Sequence, residues 1–148
     1  MITTIMAFLG SAGFSFLFGV RGRKIAVLGA GASVGWIVYL AATRLGADVF
    51  FANFAAALTV EVLSSFLAIG LKSPVTVMQI PMLIPLIPGG DLYYMMYNLI
   101  SQDFTASAQY SNQVLIKTGA IVLGIVVGAN VMRMLPGIGD LRLRRHSG

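Results

Sequence analysis

The sequence predicts an all-α, polytopic membrane protein, and two observations carry that prediction. Of 148 residues, 57% are hydrophobic and 10% charged, with a mean hydropathy of +0.88, whereas soluble domains run near half apolar and a quarter charged. Charge-free runs then fall at 2–20 and 25–43, each close to the ~20 residues a helix needs to cross ~30 Å of hydrocarbon. The same composition excludes function classes. With no cysteine and one histidine, disulfide frameworks, thiolate metal sites and Cys or His catalysis lack their raw material. No enzyme activity, metal or cofactor is expected.

The first span, 2–20, has no basic residue ahead of it and ends in Arg21-Gly22-Arg23-Lys24. It reads as a retained helix with its N-terminus outside rather than a cleaved signal. The second, 25–43, follows so closely that the two must form an antiparallel hairpin. The third, 49–71, is interrupted only by Glu61 and ends at Lys72-Ser73-Pro74. The fourth, 75–100, is apolar but holds Pro81, Pro85, Pro88, Gly89, Gly90 and Asp91, which a continuous helix does not tolerate. It reads as a broken helix whose halves, 75–87 and 92–100, give ~20 Å and ~14 Å at ~1.5 Å per residue and together cover the core. The polar stretch 101–113 reads as the one sizeable loop. The last span is 114–135, and 136–148 is a basic tail. The chain 1–148 therefore reads as a single transmembrane domain of about five crossings with its C-terminus inside.

Ten Lys and Arg against five Asp and Glu give a net charge of +5, which in a soluble protein would point to nucleic acid. Here the basic residues sit between apolar runs, so nucleic-acid binding is rejected. If the fourth segment spans, Arg21, Arg23, Lys24, Lys72, Arg133, Arg142, Arg144 and Arg145 fall inside and only Arg44 and Lys117 outside. If it re-enters instead, the ten divide five against five. The positive-inside rule favours spanning, in one orientation, as in a bacterial cytoplasmic membrane.

Glu61 is the leading functional candidate, because an acid at a helix centre costs ~2.5–3.5 kcal/mol on insertion scales and must be neutralised, paired or facing water. On a 3.6-residue repeat it shares a face with Asn53, Ala57, Ser64, Ser65 and Ala68, while Leu58, Val62, Phe66 and Ile69 lie elsewhere. That polar stripe should face protein or a cavity, where Glu61 either exchanges a proton to couple a gradient to substrate movement or serves as a structural acid. The second constellation is Pro81, Pro85, Pro88, Gly89, Gly90 and Asp91. Its prolines leave the carbonyls of Val77, Pro81 and Ile84 without their normal helical partners. The half-helix beginning at Asp91 presents free amides of the kind that hold anions in broken-helix transporters. Donors and acceptors side by side suit a zwitterion or small organic acid. Asp91 is either the cap of that half-helix or a ligand for a substrate ammonium. Tyr93, Tyr94 and Tyr97 follow, as a gate or an interfacial aromatic belt. Gly31 with Gly35, and Gly124 with Gly128, fit small-xxx-small packing faces. Gly137-Ile138-Gly139-Asp140 spells the G-x-G-D of intramembrane aspartyl proteases, but it lies at the end of the last span without a second embedded aspartate.

Glu61, Lys72-Ser73-Pro74, and Ile84-Pro85-Leu86-Ile87-Pro88-Gly89-Gly90 followed by Tyr93 and Tyr94 together resemble the threonine/serine exporter family, specifically its short second component. The resemblance covers nearly the whole chain, and the proline-glycine stretch is its most specific piece. It implies export of threonine, serine or related small organic acids on an ion gradient. It also implies a longer multi-pass partner subunit with a soluble N-terminal region. The family's proline-glycine element maps onto Pro85, Pro88, Gly89 and Gly90, and its tyrosine onto Tyr93 or Tyr94. Asp91 departs from that pattern and disfavours dicarboxylates. Two other functions stand beside the exporter: a homo-oligomeric channel and a non-transporting scaffold subunit.

Overall fold

Two helices made largely of Ala, Gly, Ser and aliphatic residues begin the fold: α1, Ile2–Leu17, and α2, Arg23–Arg44. The computed structural model describes residues 2–134. The hairpin is antiparallel, as expected, with Ser11 donating to the Leu28 carbonyl at 3.3 Å and Phe8 lying over Gly29. Then come α3, Val49–Gly70; α4, Val75–Leu83; a 3-10 turn, Ile84–Leu86; α5, Gly89–Ile100; and α6, Phe104–Met134. The described residues contain helices and no strands. Three helices, α2, α3 and α6, are long and apolar enough to cross a membrane, and a fourth is added if α4 and α5, bent by 57° at their break, count as one. With 16 residues, α1 falls short of that length.

One device ends α1, α2, α3 and α5. In each, an amide three residues past the helix reaches back five residues: Val20 to the Ser15 carbonyl, Ala47 to Ala42, Ser73 to Ala68 and Asp103 to Asn98. This Schellman closure needs a left-handed residue just before that amide. Gly19 (φ 72°) and Gly46 (φ 84°) supply it freely, whereas Lys72 (φ 49°) and Gln102 (φ 62°) adopt it against their side chains.

The core sits among α2, α3, α4 and α6, and its side chains are mostly small. Leu28, Ala32, Ala56, Ala57, Val60, Met78, Met82 and Ile121 pack together. Met82 fills the space over Gly31, and Val60 the space over Gly35. Small residues of this kind let membrane helices approach closely enough for dispersion to hold them. The glycine faces read from the sequence as packing faces are used that way here.

The contacts also fix direction. Lys24 donates through Nζ to the Leu71 carbonyl at 3.3 Å and to Ser73 Oγ at 2.8 Å. This brings the basic link 21–24 to the end of α3 where Lys72 lies. A Cβ on Gly124 would meet Phe54 and Ala57, and one on Gly128 would meet Glu61. Residue numbers therefore rise together along α3 and α6, and the two helices are parallel. On that register Val49 falls beside Lys117, so residues 104–116 continue past the start of α3 by roughly 20 Å at ~1.5 Å per residue.

Two expectations change here. The stretch 101–113 is not a loop, because all but its first three residues extend α6. From Phe104 to Lys117 there is no glycine or proline to stop a helix, and Asp103 Oδ1 accepts the Ala106 amide at 3.0 Å as its cap. Polarity alone had suggested a loop. The second change concerns the half-helix at 92–100. It packs along α6, with Ser107 Oγ donating to the Met95 carbonyl at 3.0 Å and the Tyr94 and Tyr110 rings stacked at 5.5 Å. It buries no residue of its own. The bundle core is completed by α4 and the 3-10 turn, not by α5. The tail 136–148, with the Gly137–Asp140 motif, lies outside the described residues.

Candidate functional site

Glu61 lies in the α3–α6 seam, 3% exposed, midway along α3. The stripe read from helical periodicity is buried as expected: Asn53, Ala57, Ser64, Ser65 and Ala68 all face protein, while Phe66 and Ile69 are exposed. Ser65 Oγ donates to Glu61 Oε1 at 3.4 Å, and Ser64 Oγ to the Glu61 carbonyl at 2.9 Å. Asn53, two turns earlier, donates to the Val49 carbonyl at 2.8 Å. The facing helix makes room with glycine. A Cβ at Gly128 would sit 2.8 Å from Glu61 Cγ, and one at Gly124 2.7 Å from the Phe54 carbonyl oxygen. The carboxyl-bearing side chain is thus held directly against the backbone of a second helix.

The proline-glycine break forms the second part. Pro81 sits inside α4 and Pro85 in the 3-10 turn, and Pro88 stands immediately before α5. The Ile84 carbonyl, expected to be orphaned, accepts the Ile87 amide at 3.3 Å, because tightening to a 3-10 turn supplies a new donor. The Gly89 amide reaches the Ile87 carbonyl at 2.7 Å across Pro88, closing a three-residue turn that redirects the chain. Gly89 and Gly90 are exposed and have open space where a Cβ would stand. Asp91 does not cap α5, since no side chain bonds that helix start. Its Oδ2 pairs instead with Lys117 Nζ of α6 at 2.5 Å, both side chains about four-fifths buried. Tyr93 and Tyr97 are stacked and exposed on the outer face of α5, and half-exposed Tyr94 stacks on Tyr110.

The structure thus groups Glu61 with Ser65 and Gly128, and groups Asp91 with Gly89, Gly90 and Lys117, but keeps the two groups apart. Lys117 and Gly128 are separated along α6 by roughly 16 Å at ~1.5 Å per residue. An open groove of about 590 Å³ lined by Phe104, Thr105, Ala108, Gln109 and Asn112 includes none of these residues. Two contributors were given other roles in the sequence reading, Gly128 as a packing glycine and Lys117 only as a charge in the topology count. A signal for Lys117 existed: between Ser73 and Met132 the only charges are Asp91, Asp103 and Lys117, and isolated opposite charges in apolar surroundings seek each other. Among the described residues no cluster of His, Cys, Asp and Glu suited to a metal is present.

No curated protein and no solved structure matches the chain. The family model of the threonine/serine exporter, ThrE, matches residues 3–131, a stretch that contains every helix except the ends of α1 and α6 and both residue groups just described. An apolar bundle with an acid sealed in its central seam and a proline-glycine break is the setting in which that match falls, and the chain belongs to the threonine/serine exporter family.

Proposed function

We propose that this chain is the membrane subunit of a two-component secondary transporter that exports threonine, serine or a related small organic acid, coupled to a proton or ion gradient. The carrying observation is Glu61, buried at the middle of α3 against the bare backbone of Gly128. A carboxyl in that position binds or releases a proton as α3 and α6 shift, which is how a gradient drives a carrier. Asn53 and Ser65 extend the polar stripe, while Pro85, Pro88, Gly89, Gly90, Asp91 and Tyr94 form the substrate region. About five crossings, N-terminus outside, would place the subunit in a bacterial cytoplasmic membrane. Few crossings for alternating access call for a partner, and the family resemblance implies a longer multi-pass subunit with a soluble N-terminal region.

The test is threonine efflux from cells or vesicles carrying the complete transporter. Glu61→Gln is expected to abolish gradient-driven efflux while the protein stays in the membrane at wild-type abundance. Undiminished efflux removes Glu61 from coupling. Affinity purification under mild conditions, followed by native mass spectrometry, is expected to recover the partner, and recovery of this chain alone favours a homo-oligomeric carrier or channel.

A further inference from the structure

The charges in the two helices that follow the break are sparse. Asp91 is the sole charge on α5, and Lys117 and Arg133 are the only charges on α6. Lys117, which the sequence reading used only in the charge balance, has met Asp91 across 26 residues of chain. The pair is not sealed: Lys117 keeps 22% and Asp91 20% of the side chain exposed. Directly before Asp91 stand Gly89 and Gly90, with open space beside both. The helix that carries Asp91 buries no side chain fully and, among the described residues, packs along α6 with no other helix of the bundle closing over it, so no third element holds the two together.

A largely buried ion pair beside open space has one ligand class that matches it without leaving a charge unpaired. A molecule with an adjacent carboxylate and ammonium replaces one ion pair by two, the carboxylate on Lys117 and the ammonium on Asp91. A ligand lacking either end strands the other partner in a poorly solvated place, and stranded buried charges are strongly penalised. We propose that Lys117 is a substrate-contacting, specificity-determining residue, and that the Asp91–Lys117 pair opens to receive the two ends of an α-amino acid zwitterion. The proposal rests on the exporter reading and sharpens it, since it selects zwitterions over the small organic acids that reading also admits.

Counterflow in vesicles made from membranes containing the full transporter tests it with three compounds: L-threonine, L-threoninamide, which lacks the carboxylate, and 3-hydroxybutyrate, which lacks the ammonium. The wild-type protein should prefer threonine over each analogue by at least about tenfold. Lys117→Gln should erase the preference over threoninamide and keep that over 3-hydroxybutyrate, and Asp91→Asn should do the reverse. The exchanged pair, Asp91→Lys with Lys117→Asp, keeps an ion pair between α5 and α6 but turns it round, and should fail to restore threonine counterflow. If the exchange restores it, or if both single variants depress all three compounds in equal proportion, the pair is only a structural tie and the proposal falls. Wild-type vesicles that move none of the three compounds overturn the exporter reading itself, a result distinct from loss of discrimination in the variants.

Discussion

Glu61 and Gly128 show how one missing side chain decides where another can lie. A methyl group on Gly128 would press on Glu61 Cγ, which can turn away, whereas one on Gly124 would press on the Phe54 carbonyl, which is backbone and cannot. Gly124→Ala should therefore cost more than Gly128→Ala, at the upper end of the ~1–3 kcal/mol typical of overpacking, and Gly89→Ala, with open space around it, should cost least. Thermal midpoints of the three variants in one mild detergent check the order, and a Gly124→Ala protein as stable as wild type refutes it. The stripe that turns Glu61, Ser64 and Ser65 inward was legible because the helical repeat is local information. That Gly128 would be its neighbour was not, because the pairing of α3 with α6 depends on the path of everything between them. The Asp91–Lys117 pair was hidden for the same reason, and the cap expected of Asp91 lost to a full opposite charge.

Among the elements, the helix ends carry the clearest strain. Lys72 and Gln102 hold left-handed backbone that glycine adopts at no steric cost, as it does in the matching positions 19 and 46. Gln102→Gly should raise the stability of the α5–α6 connection by about 1 kcal/mol and Gly19→Ala should lower that of the α1–α2 hairpin by a similar amount. Opposite shifts in melting temperature are the expected pair of results, and shifts of the same sign contradict the explanation. The helical periodicity and charge-free runs located α1, α2, α3 and the apolar part of α6 within a few residues. The first third of α6 escaped because its Ser, Thr, Asn and Gln side chains were read as solvent-loving loop, although residues 104–118 contain nothing that stops a helix.

For the whole molecule, the parallel run of α3 and α6 is the central constraint. The chain must climb from the end of α3 near Lys24 to the start of α6, and α4, the 3-10 turn and α5 make that journey. Consequently the link 21–24, Lys72 and the Arg133 end of α6 share one end of the bundle, and Arg44 and the 45–48 link lie at the other. This agrees with the charge distribution that the positive-inside rule requires. Because the protein has no cysteine of its own, single cysteines report cleanly. Arg21→Cys and Ser73→Cys should be labelled by an impermeant maleimide from one face of sealed vesicles, and Arg44→Cys from the opposite face. Labelling of positions 21 and 73 from different faces would break the shared end that the Lys24 bridge requires.

The absence of any buried side chain in α5 separates two kinds of rigidity in this protein. Among the described residues, α5 packs along α6 alone, tied there by one ion pair, one hydroxyl bond and one ring stack, while α3 is locked on three sides by α2, α4 and α6. Opening free energies should therefore span a wide range within a single chain. In hydrogen–deuterium exchange, amides of α5 should exchange through local release long before those of α3, which can open only when the bundle does. The segment between the proline break and α6 would then behave as a separate cooperative unit, free to leave and return while the seam that holds Glu61 stays shut.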